Sequence, residues 1–213
     1  MPGATDRPAS AGHEPRSQRG QVPVHGVVAQ VELPAHKPAR KGRLGGVANG
    51  AVPVSFSISG SQFQVGASTL EGTGFSQYAG TAKDTAGVER QVAIANIGQA
   101  SLSDLCQAVV TETPLGKVGL LITAGGGGNP ATATDLQIGM TDLKGDASFN
   151  NIRIGVDAST VNTKEKGTAG DFSQDADSVT IKNLQQTAWS TQAGVFTLTG
   201  MHLELTDGSK TCF

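Results

Sequence analysis

The stretch VAIANIGQASLSDL (92–105) states one six-residue pattern twice. VAIANI (92–97) and ASLSDL (100–105) each run small or apolar, spacer, large apolar, spacer, Asn or Asp, large apolar. The pattern returns as IGMTDL (138–143), ASFNNI (147–152), VTIKNL (179–184) and FTLTGM (196–201). Positions one and three share a strand face, whereas position six has the opposite parity. Position five is Asn96, Asp104, Asp142, Asn151, Asn183 or Gly200. These residue types most readily take φ > 0 or bond to nearby backbone. The pattern therefore predicts strands that end or bulge at position five and resume with the apolar side switched. In FTLTGMHLEL, Phe196 and Leu198 are expected to point inward before Gly200, and Met201, Leu203 and Leu205 after it.

Composition agrees with a chain of strands. Gly is abundant at 29 residues, aromatics make up 4% and charged residues 16%. The fold class expected is all-β. Closely spaced copies of the pattern suit an antiparallel sandwich or meander, or a β-solenoid-like stack of short strands. AVPVSFSISG (51–60) alternates apolar and Ser, and Gly60-Ser61 suits a two-residue turn into a hairpin with Gln62–Val65. LCQAVV (105–110) is the best helical candidate, and a short one.

The net charge of −2 hides a split. Residues 1–43 carry seven Lys or Arg against three acidic residues, six of the nine prolines and three of the four histidines. Such a segment cannot bury enough surface to offset its ordering entropy. Residues 1–48 read as a disordered basic tail and 49–213 as one β-rich domain. Nothing in the charge balance points to nucleic acid, and no apolar run is long enough for a membrane helix.

Cys106 and Cys212 form no CxxC or metal spacing. A single long-range disulfide is the natural pairing, with two buried free thiols as the alternative. A Cys stapled next to the C-terminus favours an oxidising, extracellular compartment.

Candidate chemistry is sparse. GGGGNP (125–130) lacks the Lys-Ser/Thr of a phosphate loop and reads as a hairpin connection between VGLLIT and the strand near LQIGM. Asp171, Asp175 and Asp177 in DFSQDADS could offer oxygen ligands to calcium, but the spacing matches no EF-hand, and a solvated acidic loop is the preferred reading. No cofactor or metal is expected. No G-x-S-x-G or S-x-x-K occurs. His202 is the one histidine outside the tail and hence the candidate base, although its strand position beside Glu204 suggests an exposed ring. Ser76, in the Gly-flanked GFSQY, is the candidate nucleophile. Trp189, the lone Trp, reads as a core or rim residue.

SFSISGSQFQVGASTLEGTGFSQYAG, LCQAVVTETPLGKVGLLITAGG, DASFNNIRIGVDAS, NLQQTAWSTQAGVFTLTGMHLEL and the terminal TCF stand in the order seen in a family of small secreted actinobacterial proteins, which this chain resembles. That family is largely uncharacterised, and its members commonly carry the label cholesterol esterase. The resemblance implies secretion, a Cys106–Cys212 pair at the family's own cysteine positions, and hydrolysis of a sterol or lipid ester. It supplies no triad for this chain. Family members usually place an apolar segment just before the SFSISG-like strand. The Arg-, Pro- and His-rich stretch found here instead suggests that residues 1–45 arise from a misplaced start or shifted frame. Two functions are therefore expected: a secreted sterol- or lipid-ester hydrolase acting through His202 and Ser76, or a non-catalytic envelope or matrix protein. The second would bind lipid, glycan or another cell-surface component, or would self-associate.

Overall fold

A computed structural model of the chain describes residues 57–213. The tail read over 1–48, the suspected start artefact and the part of the 51–60 strand before Ser57 lie outside these residues. The described part is all-β, as expected, and is built from long strands. β1 is Ser57–Ile58, β2 Phe63–Asp84, β3 Glu89–Ser103, β4 Leu105–Thr113 and β5 Gly116–Ala124. β6 is Ala131–Asn150, β7 Arg153–Asp157, β8 Phe172–Gln192, β9 Val195–Thr197 and β10 His202–Thr206.

β2 pairs with β3 and then β4 in one unbroken antiparallel register, from Lys83↔Glu89 through Thr69↔Ser103 to Phe63↔Val109. β3 and β4 are thus one strand interrupted at Asp104, where φ is 50°. β6 and β7 relate to β8 in the same way, with the interruption at Asn151, φ 52°. β3 also pairs with β6, and β8 returns to pair with β2 from Phe63↔Ala188 to Ala67↔Leu184. The ring β2–β3–β6–β8 therefore closes on itself as a barrel, with the closing β2–β8 seam formed by the five pairs from Phe63↔Ala188 to Ala67↔Leu184. Of the two arrangements expected, the antiparallel one forms; no solenoid rungs are present among the described residues.

The six-residue pattern predicts most of the interruptions. Asp104, Asn151, Asn183 and Gly200 all have φ between 50° and 65°. Asn183 lies where β8 carries one extra residue opposite Lys144 and Asp146, a bulge inside a continuous strand. Asp142 directly follows another register shift. Asn96 departs from the expectation: it sits in the middle of β3, paired with Ser76 and Gln137 and buried. Its side chain finds polar partners there, so the backbone need not turn.

Four local expectations are corrected. Ser57–Ile58 pairs in parallel with Lys83–Asp84 instead of forming a hairpin with Gln62–Val65. LCQAVV is strand β4, held between β2 and β5, with Leu105 buried in the main core and Ala108 buried on the opposite face. DFSQDADS is no loop; β8 begins at Phe172. GGGGNP is a connection, as read, but not a hairpin: β5 pairs with β4, and β6 with β3.

The main core lies inside the ring and includes Leu70, Phe75, Leu102, Leu136, Val179 and Leu184. The β2–β3 hairpin also buries its other face. There Tyr78, Ala82, Val92 and Ile94 pack beneath the β7–β8 connection, residues 158–171, through Ala158. That strap starts with a short 3-10 turn, Ala158–Thr160, capped by Asp157, whose carboxylate accepts from Ser159 N and Gly170 N. The Ser159 hydroxyl donates to the same carboxylate and, with these N–H groups, holds it below the usual carboxylate range. Asp175, fully buried, anchors the strap by accepting from the Arg153 guanidinium and from Asn162 N at 2.7 Å. Gly167 is required at the closest approach, where an added Cβ would lie 2.6 Å from Ala158 Cβ.

Candidate binding groove

Beyond the main core, the β2–β3 hairpin exposes one face. Gln77, Ala79 and Thr81 on β2 lie opposite Ala95, Ala93 and Gln91 on β3, so small and uncharged side chains alternate along it. Ala93 in turn pairs with Met140 on β6, and the register shift after Met140 leaves Thr141 without a partner on β8. The far wall comes from the start of β8. Gln174 donates its amide to Gln77 Oε1 at 2.8 Å, and Phe172 stands beside it with 64% of its surface exposed. These elements enclose a groove of about 750 Å³. No residue lining it is charged. Its polar groups are the amides of Gln77, Gln91 and Gln174 and the hydroxyls of Thr81 and Thr141, with the Phe172 ring as an apolar plate.

Ser76 lies on the opposite, strap-covered face and has no exposed surface. A row of side chains crosses three strands there. Gln137 donates to Asn96 Oδ1 at 2.8 Å, and Asn96 donates to Ser76 Oγ at 3.1 Å and to Tyr78 Oη at 3.3 Å. Ser76 Oγ lies 2.5 Å from Thr163 Oγ1 on the strap, and Thr163 donates to Glu165 O. Every hydroxyl in this row is satisfied, and none faces a base. Burial raises the Tyr78 phenol above its ordinary value, opposed by the Asn96 bond. A side cavity of about 150 Å³ lies next to the row, between Asn96 and strap residues Asn162–Glu165.

His202 occupies β10, opposite Thr123 on β5, and is exposed. Among the described residues, no side-chain hydrogen bond reaches its imidazole. Ser76 and His202 are therefore not brought together: one is sealed under the strap, whereas the other stands on the outermost strand of the sheet. Glu204, beside His202, accepts from Lys210 Nζ at 2.5 Å, which chiefly holds its carboxyl low. Asp175 is committed to Arg153, Asp177 accepts from Asn151, and no group of three potential ligands for a metal occurs among the described residues. Trp189 is a rim residue, half-buried, with the Arg90 guanidinium 4.3 Å above its ring.

The groove residues escape sequence reading because they carry no motif. The one available signal is negative: the outward positions of QYAGT (77–81) and QVA (91–93) hold Ala, Thr and Gln where an ordinary solvated strand carries charge.

Cys106 and Cys212 form a disulfide with Cα atoms 5.7 Å apart, and Gln64 Oε1 accepts from Cys212 N. The C-terminal segment is thereby pinned across β2 and β4. Fold and site together define a disulfide-stapled, closed antiparallel β-barrel with an uncharged surface groove. The chain belongs to DUF6230, a family of unknown function whose model matches residues 59–213. No curated protein and no solved structure matches it.

Proposed function

We propose that the domain is an extracellular, non-catalytic binding module whose groove takes a neutral segment of a cell-surface glycan. The observation that carries this reading is a groove of about 750 Å³ without a charged lining residue. An anionic ligand would find no counter-charge there. A purely apolar one would leave the Gln91 amide and the Thr81 hydroxyl without partners, each costing about 1–3 kcal/mol if left unpaired. Carbohydrate satisfies both demands: its hydroxyls exchange bonds with amides that both donate and accept, and its C–H faces cover an exposed ring such as Phe172. The Cys106–Cys212 bond supports an oxidising compartment.

The ester hydrolase implied by the family label asks for a nucleophile and a base in contact. Ser76 is satisfied by Asn96 and Thr163 under the strap, and His202 lies on the outermost strand, which favours the binding reading. Both are tested in the full chain. Titration calorimetry with cello-, malto- and chito-oligosaccharides should detect binding that Phe172→Ala weakens about tenfold. No binding to any of them, or binding indifferent to Phe172→Ala and Gln77→Ala, overturns the glycan reading. Hydrolysis of detergent-dispersed cholesteryl ester by the wild type that disappears in His202→Ala would establish the hydrolase instead.

A further inference from the structure

We propose that β10 is a self-association strand through which two copies of this chain pair across a two-fold axis at Leu203. β10 is bonded to β5 along one edge, and among the described residues nothing pairs with its other edge. Protein sheets ordinarily blunt such an edge with Pro, a bulge or inward charge. HLELT (202–206) has no Pro, and its pairing with β5 runs unbroken from His202↔Thr123 to Thr206↔Gly119. Met201, Leu203 and Leu205 share one face and are 53%, 49% and 71% exposed. The same face continues onto β5, where Ile122 lies opposite Leu203 and Leu120 opposite Leu205. The expectation that these three side chains point into a core is not met: Leu203 and Leu205 share the sheet face of Ile122 and Leu120, yet all three are exposed.

Charge selects the occupant. When β10 meets β10 of a second copy antiparallel with Leu203 on Leu203, His202 of each copy falls opposite Glu204 of the other. Met201 then falls opposite Leu205 on the apolar face. A register centred on Glu204 sets two carboxylates against each other, which is unfavourable, and one centred on His202 leaves Glu204 opposite Gly200, without an imidazole partner. Lys210 occupies Glu204 Oε1, so Oε2 remains to accept an imidazole N–H from the second copy. The pairing is isologous, closes as a dimer and joins the two apolar faces into one. It is separate from the groove and does not depend on the groove's ligand.

Sedimentation velocity of the full chain, disulfide intact, should show a dimer that dissociates on dilution. Leu203→Lys and Leu205→Lys should yield monomers with unchanged circular dichroism. His202→Glu should weaken the dimer about tenfold, and His202→Glu combined with Glu204→Lys should restore it. Leu203→Cys should cross-link two copies under a short bis-maleimide, whereas Leu205→Cys, displaced from the axis, should not. A wild-type monomer at all concentrations, a dimer unaffected by Leu203→Lys, or equal cross-linking at positions 203 and 205 overturns the proposal. So does a monomer that dimerises only after residues 1–56 are removed, because the edge would then belong to the chain's own N-terminal segment.

Discussion

Asn183 takes φ 53° inside β8, a conformation that costs a branched side chain about 1–2 kcal/mol and glycine almost nothing. Asn183→Gly should therefore be close to neutral in chemical denaturation, while Asn183→Val should lower stability by about that amount. Equal effects of the two would show that the side-chain bond to Asp146, not the backbone, matters at this position. Gly72 is constrained differently. Its φ is not positive, but a Cβ there would lie 2.6 Å from Ile97 Cγ2 and 3.3 Å from Val179 Cγ1. Gly72→Ala should cost about 1–3 kcal/mol by overpacking two layers that meet there, read as a shift in the denaturation midpoint at unchanged slope.

The strap over residues 158–171 is fastened in part through Asp175, which accepts from Asn162 N. The Arg153 guanidinium, aided by Asn162 N–H, keeps its carboxyl below the usual carboxylate range against the opposing effect of burial. A folded-state value below the unfolded one means that the contribution is present above the ordinary carboxylate value of about 4 and is lost as pH falls through the folded value. Asp175→Asn should cost about 1–3 kcal/mol near neutral pH. The gap between wild type and variant should then close below about pH 4. Thermal melts of both proteins across pH 2–8 would reveal this, and a gap independent of pH would argue that packing alone holds the strap. Opening the strap would also break the Ser76–Thr163 contact, so hydrogen exchange at Thr163 and Asn162 reports on both.

At the scale of the molecule, the barrel is closed by contacts distant in sequence, and the disulfide spans 106 residues. A bridge of that span restricts the unfolded chain by about 4–5 kcal/mol in the chain-entropy model. Reduction, or Cys106→Ser with Cys212→Ser, should lower Tm by roughly 10–20 °C for a domain of this size. Differential scanning calorimetry checks it, and an unchanged Tm would mean that Gln64 and the sheet hold the C-terminal segment unaided. The uncovered apolar face of β5 and β10 belongs to this scale as well, because the barrel's core side runs out onto strands that no other described layer covers.

Strand content, the all-β class and most of the breaks were legible in VAIANIGQASLSDL and its four relatives, because period-2 patterning and the αL tolerance of Asn, Asp and Gly are local properties. The cysteine pairing was legible as the natural one, since only two cysteines exist. Asn96 escaped because the same residue type serves a turn or a buried polar row, and only its neighbours across two strands, Ser76 and Gln137, decide which. Ser57–Ile58 escaped for a similar reason: a partner beside Lys83 lies beyond the reach of any hairpin rule. The groove, the burial of Ser76 and the distant placement of His202 follow from ring closure and from the strap. Those depend on which faces meet after folding, a matter of register between strands about 100 residues apart that no local pattern encodes.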